Sequence, residues 1–289
     1  MIKNDLNLIE KCLQKKEQKK LIMVAPSFLT DFSYPEIICQ MRNLGFDKVV
    51  EITFGAKIIN KEYHRLLSER KEKLWISSTC PGIVESIKRS EDLKIFEENI
   101  APIDSPMKAM SKVCKKYYPE HKIFFLSPCH MKKLEAEKIK EIDFVIDYQQ
   151  MKNLLKKYSI GHCHTNRKFD KFYNDYTKIY PLSGGLTKTA HLKGILKKRE
   201  VVIKDGWEKV KKILLKIKKK PKKYRKIKFL DVTFCYGGCI GGPCTSREIS
   251  IWRKKRLVQK YRKNSLKEAI PEDRKGLLEK AAGLKFSNF

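Results

Sequence analysis

Four cysteines stand where a folded chain could bring thiols together. Cys80 lies in "SSTCPGI", Cys129 in "SPCHMKKLEAE", and Cys235 and Cys239 in "FCYGGCIGG". Each follows an apolar run that reads as a strand, with Pro or Gly close by. Thiolates gathered at loop ends suit an iron–sulfur cluster or a zinc ion. Zinc sites usually draw on two closely spaced cysteine pairs, and here only Cys235 and Cys239 are near each other. Single ligands scattered along the chain suit a cluster buried between two lobes better. Gly237, Gly238, Gly241 and Gly242 leave room for backbone to approach a bulky inorganic ligand, and their N–H groups can bond anionic ligands. Cys39 and Cys114 stand among apolar residues and read as packing thiols. In the run His162-Cys163-His164, alternate side chains of an extended segment leave opposite faces, so a shared metal ion is not expected there.

The elements that must position these cysteines alternate between strand and helix. Residues 19–28 read as a buried strand, 34–46 as a helix ending at Gly45, and 47–59 as a strand turning at Gly55 before a further helix. A strand precedes Cys80 and a helix follows Pro81. Residues 122–139 and 142–158 repeat strand and helix, with Cys129 in the first turn. A strand, a Gly-Gly turn and a helix are expected over 178–196, then a basic strand running into Cys235, then a basic helix within 246–270. This alternation predicts an α/β fold of two lobes, each a mostly parallel sheet flanked by helices, with the cysteine loops meeting in the cleft. Ligands in such sheets sit at the carboxyl ends of strands. The expected division is a polar segment 1–18, a first lobe 19–155 with Cys80 and Cys129, a second lobe 156–270 with Cys235 and Cys239, and a tail 271–289.

Composition narrows the class. The chain has 289 residues, enough to bury a sizeable core. No apolar run reaches membrane-span length and the N-terminus lacks a signal-peptide pattern, so a cytoplasmic protein is expected. Lys and Arg number 64 against 33 Asp and Glu, a net charge of +31. Eleven of the basic residues fall between Lys211 and Phe229, with no acid among them. Such a stretch can attract an acidic partner. No nucleic-acid-binding motif accompanies it, so nucleic acid is set aside.

Taken in order, these motifs resemble the catalytic domain of the iron-only ([FeFe]) hydrogenases, over about Lys20 to Tyr261. "SSTCPGI", "SPMKAM", "SPCHMKKLEAE", "PLSGGL" and "FCYGGCIGG" are each similar to a family signature. The resemblance implies an H-cluster: a [4Fe-4S] cubane joined to a two-iron subcluster carrying CO, cyanide and a bridging dithiolate. It implies that Cys80, Cys129, Cys235 and Cys239 ligate the cubane, with Cys239 also reaching the two-iron unit. By the same resemblance, Lys132 hydrogen-bonds a cyanide, Met107 and Met131 line the site, and Gly237, Gly238 and Ser183 approach the cofactor. It further implies reversible reduction of protons to H2, electrons from an acidic ferredoxin-like carrier, and maturation proteins that build the two-iron unit.

Three features depart from the family pattern. Thr79 stands where active members carry a proton-donating cysteine, and a hydroxyl is a far weaker acid than a thiol. No C-x₂-C-x₂-C run is present, so ferredoxin-like modules are not expected. Gly-Gly-Pro-Cys at 241–244 replaces a Gly-rich continuation and looks more like the family's sensory or divergent branches. Cys244 reads either as a core thiol or as a substitute proton donor. Glu135 fits the motif's glutamate and is expected to act in the relay, whereas Glu137 reads as a solvated residue. A hydrogen sensor with slow turnover and a non-catalytic [4Fe-4S] protein of cluster-assembly type are the alternative functions.

Overall fold

The structure is a computed structural model that describes residues 5–163 and 167–289. In chain order it runs α1 (Leu6–Gln14), β1 (Lys20–Val24), α2 (Glu36–Asn43), β2 (Lys48–Glu51), α3 (Thr53–Glu69), β3 (Trp75–Ile76), α4 (Pro81–Arg89), α5 (Pro106–Tyr117) and β4 (Lys122–Ser127). It continues with α6 (Met131–Glu137), β5 (Phe144–Asp147), α7 (Tyr148–Lys157), α8 (Gly185–Thr189), β6 (Val201–Asp205), α9 (Trp207–Lys219), α10 (Pro221–Tyr224), β7 (Phe229–Thr233) and α11 (Ile251–Ser265).

Two parallel sheets result, as the alternation predicts. The first has the order β2-β1-β4-β5 and the second β3-β7-β6. Both faces of the first sheet are covered, which is why its strands are apolar at successive positions and not only at alternate ones. Leu21, Met23, Ile123, Phe125 and Val145 point into one core. Ile22, Val24, Phe124, Leu126 and Ile146 point into the other. The first of these cores also takes Trp75 and Phe229 from the second sheet, with α3 and α5 contributing Tyr63, Leu66, Met110 and Val113. A shared apolar layer thus ties the two sheets together. The far face of the second sheet packs Leu230 and Val232 against α4 and α9, through Ile83, Ile87, Val210 and Leu214.

The sequence reading needs correction in three places. Gly55 is no turn: α3 starts at Thr53 and runs through it. The glycine is required because a Cβ there would lie 2.5 Å from the Pro106 carbonyl oxygen, where α3 crosses α5. Residues 178–184 form no strand. A single 3-10 turn spans Tyr176–Ile179, and Gly184 at φ +71° leads into α8. The place in the second sheet belongs instead to β6, whose half-exposed residues Val201–Asp205 gave a weak strand signal. Cys39 is buried as expected, but it is bonded to Cys163 and not a free packing thiol. His164 lies outside the described residues.

The order of strands in space differs from that in the chain. β3, from within 19–155, pairs with β7. The N-terminal stretch contributes α1, which buries Ile9, Cys12 and Leu13. Near the C-terminus Ala281 and Phe286 are buried in the shared core.

Candidate metal centre

All four cysteines emerge from the carboxyl ends of parallel strands. Cys80 follows β3 by a short link and directly precedes α4, with Pro81 in the first helical turn, where its missing N–H costs nothing. Cys129 follows β4. The Ser127 hydroxyl accepts from the Cys129 N–H at 3.1 Å and donates to its carbonyl at 2.8 Å, folding the chain over before α6. Cys235 and Cys239 follow β7. Gly237 and Gly238 between them have φ near +82° and +84°, the left-handed region that favours glycine. The Gly237 N–H donates to Asp205 at 2.8 Å, and the Cys239 N–H donates to the Pro181 carbonyl at 2.8 Å.

The loops interlock through glycine. A Cβ on Gly238 would collide with the Pro181 carbonyl, and one on Gly242 with the Pro128 carbonyl. The Phe234 N–H reaches the Cys80 sulfur at 3.4 Å, joining the first cysteine loop to the third. Glycine is therefore needed here for backbone-to-backbone contact, which sets the cysteine loops against one another.

Between the loops lies a cavity of about 440 Å³. Cys80, Cys129, Cys235 and Cys239 line it, as do Thr79, Met107, Met131, Lys132 and Gly238. The cavity extends past the thiols to Ala25, Ile52 and Phe125, at the ends of the first sheet. Burial, with the neighbouring Cys129 and Cys80 acting in the same direction, pushes the Cys235 thiol up to about 12. Burial likewise raises Cys129 and Cys239, with Lys132 opposing it. Cys239 lines the cavity, and enough protein surrounds it that burial is the main cause of its raised thiol. Thiols held this way favour their protons unless a cationic centre replaces them.

The other expected site residues fall in different places. Lys132 is paired with Glu135 at 2.6 Å and lies 3.5 Å from the Thr79 carbonyl oxygen. Glu135 therefore meets the cavity through Lys132. The Ser183 N–H donates to the Gly237 carbonyl at 3.3 Å, so these two residues brace the third loop from behind. Cys244 lies beside the second loop, its N–H donating to the Pro128 carbonyl at 3.2 Å and its sulfur 3.4 Å from His130 Nδ1.

Two cavity residues escape the sequence reading. Asp231 is 3% exposed and, among the described residues, is bonded by Thr187, at 2.9 Å from the N–H and 2.7 Å from the hydroxyl. Its one sequence signal is an acid inside the otherwise apolar strand FLDVT. The Tyr180 hydroxyl is buried beside the cavity with no hydrogen-bond partner among the described residues. An unpaired buried donor, four convergent thiols, an ammonium and space beyond the thiols fit a bulky anionic metal cluster better than a single zinc ion.

A family model described as "Iron only hydrogenase large subunit, C-terminal domain" matches residues 18–243. Iron hydrogenase 1 of Clostridium pasteurianum is 24% identical over 304 residues, 83% of this chain and 52% of that protein. The nuclear prelamin A recognition factor of Rattus norvegicus is 28% identical over 158 residues, 45% of this chain and 34% of that protein. The chain thus spans about half the length, or less, of these curated relatives. Among solved structures, a variant of the [FeFe]-hydrogenase from Chlamydomonas reinhardtii matches with a TM-score of 0.68 at 17% identity, covering 95% of this chain and 90% of that one. A structure describing stepwise [FeFe]-hydrogenase H-cluster assembly matches with a TM-score of 0.66 at 16% identity, covering 94% and 91%. At these identities the structural likeness establishes the fold.

Proposed function

The chain belongs to the family of the iron-only hydrogenase large subunit, C-terminal domain, and from that premise we propose that it holds an H-cluster and interconverts protons and H2. The observation that carries this reading is a cavity that continues beyond four convergent thiols, with Lys132 and the unpaired Tyr180 hydroxyl on its walls. Cys80, Cys129, Cys235 and Cys239 would hold the cubane, and the space towards Ala25, Ile52 and Phe125 would take the two-iron unit. Bound there, the group supplies the redox chemistry.

The chain's own residues bind, orient and exclude water. Lys132 offers a compact ammonium to an anionic ligand, and Glu135 fixes its direction. Met107 and Met131 give soft, apolar walls. The Thr79 hydroxyl relays protons more weakly than a thiol would. Electrons come from an acidic ferredoxin-like carrier in the cytoplasm, and maturation proteins deliver the two-iron unit. Trp207, which opens α9, stacks on Phe234 beside Cys235, with ring centroids 5.7 Å apart. The exposed lysines that follow on α9 and α10 are thus anchored next to a cysteine loop. Reversing the charge of Lys218, Lys219 and Lys220 is expected to slow ferredoxin-dependent H2 production and flatten its salt dependence, measured as rate against ionic strength.

A second reading is a slow-turnover sensor or a protein holding the cubane alone. Its support is that Lys132 already has Glu135 as an anionic partner and that Thr79 is not a thiol. Reconstituting the cubane, adding a synthetic two-iron unit, recording CO and CN infrared bands and assaying H2 with a reduced dye separates the readings. Bands with H2 evolution support the enzyme. Bands without turnover support the sensor, and absent bands support the cubane protein.

A further inference from the structure

Cys244, His130 and Asp147 meet from three separate elements. Asp147 ends β5 and caps α7, His130 precedes α6, and Cys244 follows the interlocked third loop. Their donor atoms, one sulfur, one ring nitrogen and one carboxylate oxygen, all lie within 4.8 Å of one another. We propose that these three residues form a second metal site, distinct from the four-thiol cavity, for a single divalent ion of borderline softness such as Zn²⁺ or Fe²⁺.

The donor set is the first argument. A thiolate, an imidazole and a carboxylate together suit Zn²⁺ or Fe²⁺ and do not suit Mg²⁺ or Ca²⁺, which take oxygen ligands. The spacing is the second. The Cys244 sulfur is 3.4 Å from His130 Nδ1 and 3.6 Å from Nε2. Tetrahedral zinc with bonds of about 2.3 Å to sulfur and 2.0 Å to nitrogen separates those two atoms by roughly 3.5 Å. Capacity on Asp147 is the third. Its Oδ1 accepts from the Gln150 N–H at 2.9 Å and its Oδ2 accepts from Lys133 Nζ at 2.6 Å. A carboxylate has about four lone-pair positions, so two remain for a metal. Lys133 also has Gln150 Oε1 at 3.0 Å, a partner to retain if the ion displaces it from Asp147.

The frame is already in place. Asp147 is buried, and its capping bonds fix it. The Cys244 N–H is tied to the Pro128 carbonyl. His130 is exposed and its ring already meets the Cys244 sulfur, so a fourth ligand would be water. Binding would release the Cys244 proton and form one metal–sulfur bond, with no change of oxidation state. Because His130 is adjacent to Cys129, an ion here would clamp the second cysteine loop to the end of the third.

The test uses the full chain with its cubane reconstituted, exposed to Zn²⁺ and then desalted. One zinc per chain is expected to remain, with a zinc-edge X-ray absorption spectrum showing one sulfur among nitrogen and oxygen donors. Cys244→Ser and His130→Asn should each weaken zinc binding by about 100-fold while leaving iron content unchanged. Zinc that is lost on desalting, or that shows a four-sulfur shell indifferent to Cys244→Ser, overturns the proposal. So does iron loss in Cys244→Ser, which would make this residue a cubane ligand. A Co²⁺ titration of the chain carrying Ser at 80, 129, 235 and 239, checked for fold by circular dichroism, is independent of the cubane. Thiolate-to-cobalt absorption must appear there and vanish when Cys244→Ser is added; if that chain does not fold, the zinc-edge result decides.

Discussion

Two buried polar clusters lie at the carboxyl ends of the strands, one at β2 of the first sheet and one where both sheets meet, and they are finished differently. One is built on Glu51 and Lys178, both fully buried and paired at 2.8 Å. Tyr261 bonds Glu51 at 2.9 Å and Lys178 at 2.8 Å, Thr53 bonds Glu51 at 3.2 Å, and the Tyr173 and Tyr261 rings flank the ammonium. Burial pushes the Glu51 carboxyl up, and Lys178 and Tyr261 oppose it. The other cluster is the cysteine cavity, where four thiols, Asp231 and a Tyr180 hydroxyl with no hydrogen-bond partner among the described residues face open space. The first cluster answers its own charges with groups from the chain. The second leaves its thiols and the Tyr180 hydroxyl facing the cavity, as the proposed cofactor would require.

The largest expected effect lies in the finished cluster. Lys178→Met should destabilise the protein by about 3–5 kcal/mol, because Glu51 is left buried without its cation. Glu51→Gln should cost less, because Lys178 keeps Asp175 Oδ1 at 3.6 Å and the Tyr261 hydroxyl at 2.8 Å. The double variant should cost clearly less than the sum. Urea denaturation of the metal-free protein measures all three, and strict additivity would break the comparison.

A smaller contrast sets one tyrosine against another. Tyr261→Phe removes two hydrogen bonds to charged groups and should cost about 1.5–3 kcal/mol. Tyr180→Phe removes a hydroxyl with no partner and should leave metal-free stability unchanged within about 0.5 kcal/mol. If the unpaired hydroxyl serves the cofactor, the same Tyr180→Phe change should shift the infrared bands of the reconstituted protein.

The smallest effect is a pH dependence. Burial raises the Asp231 carboxyl above its ordinary value, against the Thr187 bonds that lower it. A raised carboxyl contributes stability that is present below the unfolded value, near pH 4, and is lost as pH rises through the folded value. Asp231→Asn keeps an oxygen for both Thr187 bonds and removes this loss. The variant should therefore gain on the parent between about pH 4 and neutrality, read as the difference in denaturation midpoint across that range.

Much of this architecture was legible because its signals are local. Strands buried on both faces are apolar in sequence, and Cys80, Cys129, Cys235 and Cys239 each stand at a strand's end. Gly55 misled because its role is a crossing with α5, half a chain-lobe away in sequence. β6 has half-exposed residues and so carries no apolar run, and nothing local to Lys178 announces its buried ion pair with Glu51.

By itself the sequence determined the α/β alternation, the family and the four thiols, since each depends on residue type and spacing along the chain. Tertiary structure decided which groups end up satisfied. It gave Lys178 its carboxylate Glu51, left the Tyr180 hydroxyl without a hydrogen-bond partner among the described residues, and placed Cys244 beside His130 and Asp147. Those outcomes depend on distances between segments far apart in the chain, and such distances exist only once both sheets have packed onto their shared core.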